Sequence, residues 1–312
     1  MDVWHGFVCE SPPTRRSHAA TIAETPRGLV ASWFGGTSEG RADVVIWLAR
    51  HEGGRWCAPV QVADGVQPDG RPLPTWNPVL AQPANGPLLL FYRCGPSPRR
   101  WWSLLRTSAD GGATWGAPVR LPAGVLGPIR CKPIELADGA LLCGSSTERG
   151  GWRVHFERTL DLGATWRATP SVAAGRVGAI QPTLLRGDDG EILALCRTNR
   201  GRVGLTTSAD GGGTWSPLSL LDLPNPNSGI DAVTLADGTH LLVYNPSRFR
   251  RTPLHVAISR DGRDWRPVAV LEDARGEFSY PAVMQAASGA VHVVYTWRRR
   301  RIRHAVLDSV LG

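Results

Sequence analysis

Long uninterrupted runs with apolar residues at helical spacing are missing from this sequence, which excludes a helical bundle. No stretch approaches membrane-spanning length, so a helical membrane protein is excluded as well. The first residues, MDVWHGFVCESPPTRR, lack a basic start followed by an apolar stretch, and the expectation is a soluble, cytoplasmic protein. None of the six cysteines (Cys9, Cys57, Cys94, Cys131, Cys143, Cys196) shows C-x-x-C spacing. They read as reduced core residues rather than zinc ligands or a disulfide frame. His155, His255, His292 and His304 stand isolated, without metal spacing, so no metal or other cofactor is expected. The glycine-rich turns precede no helix and cannot cradle a phosphate.

Lysine is nearly absent, and arginine carries most of the net charge of +8. Such a balance suits an anionic partner. Much of the excess sits in short clusters, Arg15-Arg16, Arg248 to Arg251 and WRRRRIRH (Trp297 to His304). The last cluster reads as a solvated strand or turn. Nucleic acid would want basic and aromatic residues interleaved along a track, and neither nucleic acid nor membrane is expected as a partner.

What the chain has in abundance is glycine (36), proline (25) and tryptophan (13), the composition of many short strands joined by tight turns. SADGGATW (Ser108 to Trp115) returns as SADGGGTW (Ser208 to Trp215), with looser copies TLDLGATW from Thr159 and SRDGRDW from Ser259. Their aspartates, Asp110, Asp161, Asp210 and Asp261, are 51, 49 and 51 residues apart, the length of one four-stranded propeller blade. The Asp can accept N–H bonds within a hairpin, the glycines supply positive φ, and the Trp packs between sheets. A calcium loop is the competing reading, but one carboxylate per turn is too few.

A second series has the same period. Apolar segments opened by a polar residue start at His18, Asn77, Lys132, Gln181, Asp231 and Tyr280, with gaps of 59, 55, 49, 50 and 49. Six units fill the chain. The sixth has only three strands, and the N-terminal VWHGFVCE supplies the fourth, closing the ring and removing its exposed edges. The expectation is an all-β fold, one six-bladed β-propeller spanning 1-312. Innermost strands line the central channel, which makes the six openers candidates for a ring at its mouth.

The repeated turns match the S-x-D-x-G-x-T-W Asp box, and on these residues the sequence resembles the sialidase superfamily. SHAATIAETPRGLVASWFGGTSEGRADVVIW and EFSYPAV are similar to its bacterial and plant sialidase-like subgroup. Asp boxes also occur in propellers without that activity, so function has to come from the pocket.

The resemblance implies a glycoside hydrolase that releases a terminal acidic sugar, sialic acid or a related 2-keto acid, with retention. Tyr280 falls where the family has its nucleophile. A phenol, neutral until a base takes its proton, avoids the repulsion that a carboxylate nucleophile would meet at an anomeric carbon bearing a carboxylate. Arg197 and Arg251 match two of the three arginines that clamp the substrate carboxylate; a planar fork suits that group. His18 aligns with the third. Glu39 and Asp43 lie in the first-blade loop of the acid/base aspartate. No glutamate precedes Gln181, where Ala179 and Ile180 stand, so Asp231 or Glu148 is left to activate the tyrosine. Lys132, Asn77 and Gln181 would recognise hydroxyls or the acidic group. The rival expectations are a non-catalytic propeller binding a glycan or protein at the same mouth, and a hydrolase for a different sugar.

Overall fold

A computed structural model describes residues 2–308 of the chain. Six antiparallel sheets follow one another as blades, and within each the chain runs from the innermost strand outwards. The innermost strands are Arg16–Thr25, Thr75–Ala81, Ile134–Glu135, Ala179–Arg186, Asp231–Thr234 and Phe278–Gln285. The N-terminal strand Asp2–Phe7 pairs with Arg301–Asp308 as the outer strand of the last blade, which closes the ring as expected. Among the described residues, no helix is long and apolar enough to cross a membrane.

Side chains alternate between the two faces of a strand, so each sheet presents one apolar face to the blade before it and one to the blade after. Six apolar clusters result, one at each junction. Between blades one and six, for example, Ile22, Trp33 and Ala49 meet Ala282, Val294 and Ile302.

The four Asp boxes form hairpins between the third and fourth strands of blades two to five. In the first, Ser108 Oγ donates to Asp110 Oδ1 (2.8 Å), which also accepts Thr114 N–H, while Asp110 Oδ2 accepts Thr114 Oγ1 at 2.7 Å. Asp161 and Asp210 repeat the arrangement. The box tryptophans reach back one blade: Trp166 meets Phe91 edge-on, and Trp215 stacks on Phe156 with ring centroids 3.4 Å apart. Gly212 (φ +89) lies so close to the preceding blade that a Cβ there would be 2.7 Å from Leu142.

Four of the innermost strands carry a bulge that sets the register of the channel. The backbone enters the left-handed region at Ala19, Asn77, Gln181 and Tyr280, each where the pairing with the second strand slips. Arg130 does so in blade three. Each non-glycine residue there costs about 1–2 kcal/mol, but the cost belongs to the fold rather than to one site, since unrelated side chains share it. Two residues on, a side chain staples blade one to two, four to five and five to six. Thr21 accepts Leu80 N–H (3.1 Å), Thr183 accepts Ala232 N–H (3.0 Å), and the Asp231 carboxylate accepts Val283 N–H (2.8 Å).

This register corrects the ring of openers. Positions equivalent to Tyr280 are Ala19, Asn77, Arg130, Gln181 and Gly229. His18 precedes its bulge by one residue, whereas Lys132 and Asp231 stand two residues after the positions equivalent to Tyr280, one layer further along the channel at about 3.3 Å per residue.

Candidate active site

Tyr280 leads the innermost strand of blade six, and four arginines from different blades converge around it. Arg197, at the end of the second strand of blade four, donates from Nη1 to the Tyr280 hydroxyl oxygen at 2.7 Å. It also donates to Gln181 Oε1 (3.2 Å) and, through Nε, to Asn227 Oδ1 (2.6 Å). Its guanidinium carbon lies 5.1 Å from the Trp152 ring centroid. Arg251 and Arg130 lie over the Tyr280 ring, each with Cζ 5.4 Å from its centroid. Gly229 backs the ring: a Cβ there would be 3.3 Å from both Tyr280 Cγ and Arg130 Nε, so the tyrosine seats against a position kept free of side chain.

Two carboxylates interleave with these cations. Glu277 accepts from Arg251 Nη1 (2.9 Å), Arg299 Nε (2.9 Å) and Ser279 Oγ (3.0 Å). Burial alone would raise its pKa, but the guanidiniums of Arg299 and Arg251 hold it below the usual carboxylate value. Arg299 continues the chain of alternating charge to Glu39. By contrast Arg130 and Arg197 pair with no carboxylate among the described residues. Arg130 is 2 % exposed and donates from Nη2 to the Pro281 carbonyl; its Nε and Nη1 have no hydrogen-bond partner among the described residues.

His18 lies beside the tyrosine, ring centroids 4.3 Å apart, with Nδ1 2.9 Å from Thr296 Oγ1. Its pKa is held well below 6.5, first by burial and then by Arg299, Arg251, Arg130 and Arg197. The imidazole is therefore neutral, so the expected three-member clamp has two cations from its sequence positions and a neutral ring at the third. Thr296 Oγ1 also accepts Ala19 N–H, and its own proton is assigned to His18 Nδ1. That assignment leaves the imidazole N–H on Nε2.

Several expected residues stand apart from this cluster. Asp231 does not hydrogen-bond Tyr280: its carboxylate is occupied by Lys132 Nζ (3.0 Å), Thr183 Oγ1 (2.8 Å) and Val283 N–H. Lys132 is turned to the same layer and also donates to the Ala232 carbonyl. Glu148 accepts from Trp152 Nε1 (3.1 Å) at the rim rather than from the tyrosine. Asp43 fastens its own loop through Thr37 N–H and Oγ1 (2.8 and 2.9 Å), whereas Glu39 lines a mouth cavity of about 330 Å³ with His18, Phe34, Glu277 and Arg299. Asn77 is buried at the equivalent bulge of blade two and makes no side-chain hydrogen bond to the cluster.

Arg130, Asn227, Glu277 and Arg299 were not anticipated. Glu277 stands three residues before Tyr280, and Arg299 belongs to the cluster that reads as a solvated turn; both come from loops outside the repeats. Among the described residues no three His, Cys, Asp or Glu side chains come together as metal ligands.

Six blades closed by the N-terminal strand, with a mouth of arginines about a tyrosine, define a sialidase-like propeller. The chain belongs to the BNR repeat-like domain family, whose sequence profile matches residues 27–293. No curated protein matches it. Among solved structures, a protein of unknown function from Dyadobacter fermentans superimposes with a TM-score of 0.81 at 18% identity, over 98% of this chain and 99% of that one. The Hadza microbial sialidase Hz136 gives a TM-score of 0.81 at 17% identity (95% and 66% of the two chains). The NanB sialidase of Streptococcus pneumoniae gives 0.76 at 12% (96% and 69%). At these identities the likeness is one of fold.

Proposed function

We propose that the protein is a retaining glycoside hydrolase of sialidase type, acting on a glycan with a terminal acidic sugar. The observation that carries this reading is the Arg197 N–H donated to the Tyr280 hydroxyl at 2.7 Å, within a mouth also lined by Arg130 and Arg251. Cationic donors aimed at the phenol oxygen stabilise the negative charge that develops there as its proton leaves. Arg197 and Arg251 would hold the sugar carboxylate, with neutral His18 and Gln181 offering hydrogen bonds. Tyr280, as a phenolate whose proton has passed to solvent, would attack the anomeric carbon while Glu39 protonates the departing glycosidic oxygen. Glu39 would then take a proton from the water that attacks the anomeric carbon, and Tyr280 would depart as the phenolate.

One observation favours a second reading, a non-catalytic propeller that binds an acidic glycan at this mouth. No carboxylate hydrogen-bonds the Tyr280 hydroxyl, so the base expected beside such a nucleophile is missing among the described residues. Assay of the purified protein against sialosides and other acidic glycosides decides between the two. Hydrolysis abolished by Tyr280→Phe, and reduced about 10²–10³-fold by Arg197→Met, is expected for the enzyme. Hydrolysis unchanged in Tyr280→Phe would remove the proposed nucleophile, and binding without hydrolysis would establish the second reading.

A further inference from the structure

Outside the mouth a groove of about 1260 Å³ lies between blades two and three. It opens on the same face, because its walls are the loops between the second and third strands, as are the Glu39 and Arg299 loops of the mouth. Arg99, Arg100, Arg120 and Arg149 line it together with Trp101 and Trp102, and no Asp or Glu does. None of the four arginines pairs with a carboxylate among the described residues. Arg120 lies over the Trp102 ring, 4.6 Å from its centroid. The groove's one histidine, His155, is 2.8 Å from Glu157, a buried carboxylate already accepting Leu126 and Gly127 N–H, so no free negative charge stands below.

Two independent features join this groove to the mouth. A row of aromatic rings runs from His18 through Phe34 and Trp76 to Trp101, with successive centroids 5.5, 6.2 and 6.1 Å apart. A single loop carries Arg149 in the groove wall and Trp152 against Arg197 of the mouth. Arginine forks bind carboxylate and sulfate groups bidentately, and partly exposed indole faces pack on the apolar faces of sugar rings.

We propose that the groove is a subsite for a second anionic unit of the substrate, so that the ligand is an acidic oligosaccharide spanning mouth and groove. This deepens the reading of the mouth as the seat of a terminal acidic sugar, and rests on it. It also commits the groove to a glycan: a nucleic acid would offer anions to the same arginines, but the aromatic row ends at a mouth built round a tyrosine hydroxyl.

Calorimetric titration of the full chain with four probes tests it: tetragalacturonate (carboxylate only), a heparin tetrasaccharide (sulfate and carboxylate), neutral chitotetraose and an octathymidylate. At least one acidic glycan is expected to bind with quenching of tryptophan fluorescence, and comparing the first two shows whether carboxylate suffices. Arg120→Ser with Arg149→Ser, both at the surface, should weaken that binding at least about tenfold, as should Trp102→Ala. Arg197→Met should weaken it too, because the ligand reaches the mouth. Unchanged affinity in the groove variants, equal binding of chitotetraose, or tighter binding of the oligonucleotide would each overturn the proposal. So would an acidic glycan indifferent to Arg197→Met, since it would not span the two sites. Hydrolysis is not read in these titrations, so silence across the glycoside panel counts against the enzymatic reading alone.

Discussion

Asp231 is the residue on which the corrected register makes its sharpest prediction. Its carboxylate, 1 % exposed, holds three donors from three blades: Lys132 Nζ, Thr183 Oγ1 and Val283 N–H. In Asp231→Ala, Lys132 keeps the Ala232 carbonyl at 2.8 Å and Thr183 keeps the same oxygen at 3.3 Å. Val283 N–H keeps nothing, and the lysine charge, on a side chain 22% exposed, loses its counter-ion. Breaking one side of a buried pair and stranding a buried donor costs about 3–5 kcal/mol. At about 2.1 cal/mol/K per residue, the unfolding entropy of this chain is about 0.65 kcal/mol/K, which converts that loss to a fall in Tm of about 5–8 °C. Thermal unfolding followed by circular dichroism measures it. Asp231→Asn keeps an acceptor for Val283 and should lose less. A Tm within about 1 °C of the parent in Asp231→Ala would refute the staple. Turnover lost without loss of stability would restore Asp231 as the partner of Tyr280.

Three further outcomes follow from the same geometry. Box hydrogen bonds hold the Asp161 and Asp210 carboxyls down to about 2, against 3.8 ordinarily, so their contribution is fully present above about pH 4 and is lost as pH falls through 2; Thr165→Val with Thr214→Val should flatten that part of a Tm-against-pH curve, and an unaltered curve would count against the boxes as its source. Burial lowers His304 to about 3, helped by His292 and His51, so the unfolded chain takes up a proton near pH 6.5 that the folded chain refuses. Stability is therefore full above 6.5 and declines below it, and an imidazole resonance of His304 titrating near 6.5 by NMR would contradict the environment described. Gly212→Ala forces a side chain into the left-handed region and against Leu142, and should cost about 1–3 kcal/mol, read as an earlier denaturant midpoint at unchanged slope; no change in midpoint would contradict the close approach of the box to blade three.

The blades were legible in the sequence because their signals are local. An Asp box closes its hydrogen bonds within eight residues, so SADGGATW carries its structure wherever it stands. The channel was less legible, because the turn that aims its residues is not written with the same letters in every blade. Asn77, Gln181 and Tyr280 each precede a proline and are found by that letter. Blade three puts Cys131 after its left-handed Arg130 and blade five has Ile230 at the matching place, so the nearest polar letters, Lys132 and Asp231, drew the register two residues too far. Glu277, Asn227 and Arg299 lie in loops that no repeat constrains, and only the closed ring brings them beside Tyr280.

Charge balance at the mouth gives the strongest physical reason to expect an anion there. Arg251 and Arg299 are matched by Glu277 and Glu39. Among the described residues Arg130 and Arg197 have no carboxylate, and His18 is kept neutral first by its burial and then by the four guanidiniums around it. Buried charges of one sign without partners cost several kcal/mol each, and folding a propeller does not require them at a channel mouth. A bound carboxylate would offset part of that cost and release none of the existing pairs. The neutral histidine then has a definite consequence: in place of a third fork, the mouth offers one N–H on Nε2, which fits a ligand oxygen that is not shared between two arginines. His18→Arg would press a fifth guanidinium into the same buried space without a counter-ion and is expected to weaken binding of an acidic glycan. Tighter binding in that variant, measured by the same titration, would show that the histidine stands in for a missing arginine rather than setting the charge of the mouth.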